Sequence, residues 1–142
     1  ISTIQAAILL EKLDIFPLEL EKRQNVADNY NKHLNQLNLG ITTPILINEV
    51  TSSWAQYTII LPDDINRDTL QENLKSKNIP TAVYYPIPLN EHKPYEKYPV
   101  SHEGLSNTIY LSKNVLSLPM HPYLSESDII LIVKSIAEAI KN

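Results

Sequence analysis

Hydrophobic positions along this chain follow two different periods. Up to about Leu37 they recur at helical spacing, and after Gly40 they gather into short runs punctuated by proline. Ile4-Gln5-Ala6-Ala7-Ile8-Leu9-Leu10-Glu11-Lys12-Leu13 is helical by composition and apolar on most sides, and a helix apolar nearly all round expects something to cover it. Asp14 to Pro17 reads as a joint, with Pro17 placed for the first turn of a second helix. That helix runs to about Leu37. Leu20, Ala27 and Leu34 lie seven apart, and Val26, Tyr30, Leu34 and Leu37 follow the 4-4-3 spacing of one face. Gly40 is the natural terminator.

Beyond Gly40 the spacing predicts strands at Pro44–Ile47 and Trp54–Leu61, the second rich in aromatic and β-branched residues and closed by Pro62. Asn66 caps a helix from Arg67 to about Lys77, with Leu70 and Leu74 facing inward. Thr81 to Tyr85 forms a short strand that runs into a proline-stiffened loop over residues 86–99. Residues 105–116 read as helix and Ser117 to Pro122 as extended chain. Ser125-Glu126-Ser127-Asp128 then resembles a capping box for a last helix, with the stripe Ile129, Ile132, Val133, Ile136, Ala137 and Ile140. Strand, helix and strand in this order predict an α+β fold, a small sheet with helices packed on one face. Residues 1–39 would be connecting helices and residues 40–142 a small domain.

Composition removes several classes of function. The net charge is −4, and no basic stripe exists, which argues against nucleic acid or an anionic membrane as partner. No apolar run approaches the roughly 20 residues of a membrane span, and the opening residues show no signal-peptide pattern. The absence of cysteine excludes disulfides, thiolate metal sites and a cysteine nucleophile, and it fits a cytoplasmic protein. Two glycines, Gly40 and Gly104, are too few for a glycine-rich phosphate loop. His33, His92, His102 and His121 have no metal-ligand spacing. His33 reads as part of a solvated helix face and His121 as a structural hydrogen-bonder. Arg23 and Arg67 fall on helix surfaces or starts, away from any carboxylate or phosphate clamp. What remains is the pair Tyr84-Tyr85 at a strand exit. Adjacent strand residues point to opposite sides, so one ring would anchor in the core and the other offer its phenol outward. The alternative is two packing rings with satisfied hydroxyls.

Three stretches resemble a known family in order along the chain: Ile4 to Leu13, then Ser53-Trp54-Ala55-Gln56-Tyr57, then Thr81 to Leu89 together with Leu118-Pro119-Met120-His121-Pro122. They are similar to the carboxyl-terminal part of DegT/DnrJ/EryC1/StrS sugar aminotransferases, nearest those that aminate a 3-keto sugar on a UDP carrier for surface polysaccharide. The resemblance implies the small, mainly antiparallel domain of type I pyridoxal-phosphate enzymes, a homodimer, a keto sugar nucleotide as substrate and an amino donor such as glutamate. It implies that the cofactor lysine, aspartate and serines precede Ile1, so that no catalytic or cofactor-binding residue lies in this stretch. It carries over a substrate-binding role to Tyr84, Tyr85 and Asn90. Tyr84 departs from the histidine common in relatives, and Asn90 stands where histidine is frequent. A phenol, with a pKa near 10, would bind the sugar without titrating near neutrality.

Two further readings stay open from the residues alone. One is a stand-alone α+β module that binds a small molecule or a protein. The other is an unrelated hydrolase, for which no nucleophile motif exists.

Overall fold

The computed structural model describes Ser2 to Lys141. The fold is α+β: four helices around a two-stranded antiparallel sheet. Helix α1 spans Thr3–Asn35 and is a single rod of 33 residues, not two helices with a joint at Asp14 to Pro17. Pro17 sits inside it. A proline there removes one hydrogen bond to the carbonyl four residues back. Leu13 is exposed, so a carbonyl left without its partner on this open face costs little and the helix continues. A capping box at Ser2 and Gln5 starts α1, the side chain and backbone of each residue bonding the other.

The sheet pairs β1 (Tyr57–Ile60) with β2 (Val115–Leu118), Tyr57 opposite Leu118 and Ile60 opposite Val115. Isolated bridges extend it on both edges, Thr42 to Ile60 and Ala82 to Ser117. The expected strand at Pro44–Ile47 does not form. Ile45 and Ile47 are 87% and 78% exposed: the segment pairs with β1 at Thr42, but the next hydrogen-bonded position falls on Pro44, which has no N–H to donate. The Thr81–Tyr85 strand shrinks to the Ala82 bridge. The Trp54–Leu61 strand begins at Tyr57, since Trp54 has a φ of 45° and turns the chain away from the ladder.

Helix α2 (Arg67–Ser76) is capped by Asn66, whose Oδ1 accepts from the Thr69 amide at 2.9 Å. Helix α3 (Ser106–Asn114) stops before residue 116 and passes straight into β2. Helix α4 (Glu126–Lys141) packs against both α1 and α2. Val26, Ala27, Tyr30 and Leu34 of α1 meet Tyr57, Ile59, Leu70, Leu74, Leu116, Ile129, Val133 and Ile136 in one core. Each fully buried leucine or isoleucine there contributes about 1.5–3 kcal/mol. The first half of α1 stays outside it, with Ile4, Ile8, Leu10 and Leu13 exposed.

Candidate functional site

Tyr84 and Tyr85 leave the sheet just after the Ala82 bridge, and neither enters the core: they are 46% and 86% exposed. The expectation that one would anchor inside is therefore wrong. The cause is local. Tyr85 has a φ of 56°, the left-handed region that a bulky residue rarely adopts. Pro86 follows it, and the residue before a proline is ordinarily driven to extended geometry. This conformation breaks strand alternation and turns both phenols outward. Backbone strain of this kind costs on the order of 1–3 kcal/mol and concentrates at functional sites.

Trp54 is a second aromatic residue with left-handed backbone, and its surroundings hold it there. Its indole Nε1 donates to Gln24 Oε1 at 2.7 Å, its carbonyl accepts from Arg23 Nη1 at 3.0 Å, and its amide donates to Ser52 Oγ at 3.1 Å. Both arginines are structural, since Arg67 Nη1 donates to the Ser112 carbonyl. His121 is structural as expected, accepting at Nδ1 from the Tyr123 amide. His33 is not on a solvated face. Its side chain is 17% exposed and its Nε2 lies 3.5 Å from Glu126 Oε1 at the start of α4.

Three clefts open along the outer side of the sheet and the loop beyond it. The first, about 240 Å³, lies between Gln56, Tyr84, Ser117 and Met120. The second, about 400 Å³, is walled by Tyr84, Tyr85, His92, Thr108 and Ser112. The third, about 500 Å³, contains Asn90, Tyr95, Tyr98, Ser101 and Thr108. Tyr84 belongs to the first two, and Leu89 and Thr108 belong to the second and third. The structure thus brings Tyr84 and Tyr85 into one cleft and seats Asn90, on a single 3-10 turn at Leu89–Glu91, in the next.

Gln56, His92 and Thr108 were not singled out from the sequence. Gln56 was detectable: Tyr57 points inward, so its neighbour must face the opposite side. No aspartate, glutamate, lysine or arginine lines any of the three clefts. Hydroxyls, one imidazole and two amides make polar walls suited to a ligand rich in hydroxyl groups. Below them, burial pushes the Tyr30 and Tyr57 phenols well above their usual range, which fixes these two as neutral framework.

These residues do not fit pyridoxal phosphate. That group needs a lysine amine and a set of donors around its phosphate. Among the described residues no lysine is buried and none lines the clefts, and no three metal-ligating side chains cluster. Among the described residues, no helix is long and apolar enough to cross a membrane.

Comparison with known proteins follows the same lines. The chain is 42% identical over 133 residues to UDP-2-acetamido-2-deoxy-3-oxo-D-glucuronate aminotransferase of Pseudomonas aeruginosa, covering 91% of this chain and 34% of that protein. It is 27% identical over 133 residues to dTDP-3-amino-3,6-dideoxy-alpha-D-galactopyranose transaminase of Aneurinibacillus thermoaerophilus, covering 94% and 35% respectively. The crystal structure of a DegT DnrJ EryC1 StrS aminotransferase from Brucella abortus superposes with a TM-score of 0.88 at 39% identity, over all of this chain and 36% of that one. The chain spans about a third of the length of these relatives. With the family's sequence profile matching residues 1–137, this chain belongs to the DegT/DnrJ/EryC1/StrS aminotransferase family.

Proposed function

We propose that this chain is the carboxyl-terminal part of a pyridoxal-phosphate-dependent aminotransferase that moves an amino group, with glutamate as donor, to a keto sugar on a nucleoside diphosphate in polysaccharide synthesis. The 42% identity to the UDP-sugar aminotransferase of Pseudomonas aeruginosa carries the reading. The cleft between Tyr84 and Tyr85 supports it, because two outward phenols and an imidazole give polar groups for sugar hydroxyls. Tyr84 and Tyr85 bind the sugar. Asn90 adds a polar contact along the same loop. Residues 1–39 connect to the cofactor-bearing part, residues 40–142 form the small domain, and the enzyme works as a cytoplasmic homodimer.

The amine that holds the cofactor comes from outside these residues, so the chain alone is inactive. The test compares the complete protein with the 142-residue chain after incubation with pyridoxal phosphate and removal of free cofactor. The complete protein is expected to show a band between roughly 330 and 420 nm and to form an amino sugar from a UDP-3-keto sugar and glutamate, while the chain alone shows neither. A borohydride-fixed adduct on one lysine of the chain itself would overturn the assignment, as would a complete protein without transaminase activity.

A further inference from the structure

We propose that residues 86–104 form a strap, hinged at Tyr85 and Gly104, that closes toward α3 over the second and third clefts when these are filled. The inference rests on the nucleotide-sugar reading above and adds a motion to it.

The strap is held at its ends and hardly between them. Among the described residues, its backbone hydrogen bonds run only to itself, from the Glu91 amide on the Pro88 carbonyl to the Gly104 amide on the Ser101 carbonyl. Its one side-chain hydrogen bond, Ser101 Oγ to the Gly104 carbonyl, is also internal, and no ion pair joins it to the rest of the chain. Pro88 is buried, but every residue from Glu91 to Gly104 is exposed. A segment with so few buried contacts moves at low cost. Yet Tyr95, Tyr98 and Val100 lie within it, apolar surface that gains by being covered.

The two ends have the backbone of hinges. Gly104 has a φ of 77°, and a Cβ added there would meet nothing within 4 Å. Close packing therefore does not demand this glycine, and what it offers is freedom in φ. At the other end Tyr85 holds its left-handed φ of 56° against Pro86, so a rotation out of that region releases strain. Hinges are such residues at the ends of elements, where a change in φ and ψ is absorbed.

The second and third clefts are the gap beneath this strap. One wall of each comes from the strap, with Leu89 common to both. The opposite wall comes from one face of α3, where Thr108, Leu111 and Ser112 recur at helical spacing. Swinging the strap toward α3 narrows the gap, brings its apolar side chains onto Leu105 and Leu111, and shuts water out around a bound molecule. A ligand that touches both walls gains contacts that exist only with the strap down, and that difference in affinity drives the closure.

The test is amide hydrogen exchange on the complete protein, with UDP-N-acetylglucosamine and dTDP-glucose as probes and calorimetry as the separate measure of binding. The informative amides are those of Lys93, Glu96, Lys97, His102 and Glu103, which line neither cleft and donate no hydrogen bond to the backbone. Without a probe they are expected to exchange within seconds, and with a bound probe about tenfold or more slowly. If these amides are already slow in the probe-free protein, the strap is a fixed wall against the rest of the protein and the proposal fails. It fails equally if a probe binds and slows only the amides of cleft-lining residues, which is contact without closure. In both cases the measured binding leaves the aminotransferase reading standing. If neither nucleotide sugar binds, both fall.

Discussion

Tyr30 and Tyr57 stack with ring centroids 4.7 Å apart and planes 23° from parallel. The contact joins the carboxyl-terminal end of α1 to the first residue of β1. Each hydroxyl ends on a defined acceptor, Tyr30 on the Pro119 carbonyl at 2.9 Å and Tyr57 on Asn31 Oδ1 at 2.5 Å. Pro119 also lines the first cleft, so the pair braces that wall from beneath. Tyr57→Ala is expected to cost about 3–5 kcal/mol, the range for removing a buried aromatic ring. Tyr30→Phe keeps the stack, loses one hydrogen bond and should cost about 1–2 kcal/mol. Denaturant titration checks both, and equal costs would sink this account.

Burial raises both phenols, and the sign of the pH effect follows. A group whose folded pKa lies above its unfolded value stabilises fully below the unfolded value, about 10 for tyrosine. That contribution is lost as pH climbs toward the folded value. Melting temperature is therefore expected to fall as pH is raised above about 10. Tyr30→Phe should make the fall shallower. A melting temperature that stays flat above that pH contradicts the claim.

The left-handed Tyr85 can be tested by trading stability against binding. Glycine adopts φ of 56° without strain, and Tyr85 is too exposed for its ring to matter to the core. Tyr85→Gly is expected to leave the melting temperature unchanged or raised, while the KM for the sugar nucleotide rises several-fold in the complete protein. A clear loss of stability would show that the ring packs usefully.

Asn66 caps α2 through the Thr69 amide. Asn66→Ala should cost about 1 kcal/mol and Asn66→Asp should restore most of it, as chemical denaturation would show. No rescue by aspartate would remove the cap as the cause.

Sequence reading succeeded where local chemistry and burial agree. Asn66 starts α2, Leu70 and Leu74 face inward, and the stripe from Ile129 to Ile136 enters the core, all as periodicity demands. It failed where a partner or an unusual φ decides. Pro44–Ile47 has strand composition, but Pro44 has no N–H for the bond that would continue the ladder from Thr42. Pro17 resembles a helix start, yet an exposed turn tolerates it inside α1. The passage from α3 into β2 carries no glycine or proline, and Val-Leu-Ser-Leu suits either period. Tyr84, Tyr85 and Asn90, which the resemblance names, all line the clefts. Their separation into two clefts depends on the Tyr85 backbone, which no composition rule reveals.

Helix α3 hands its last residue, Asn114, directly to β2, with no intervening linker. Thr108 and Ser112 shape two of the clefts from the helical side, and Ser117 closes the first from the strand side, where it also bridges to Ala82. A rigid body this continuous behaves like a shared axle. With no loop between them, the helical and strand walls of the clefts are joined by a single peptide bond, which leaves no slack for one wall to shift without the other.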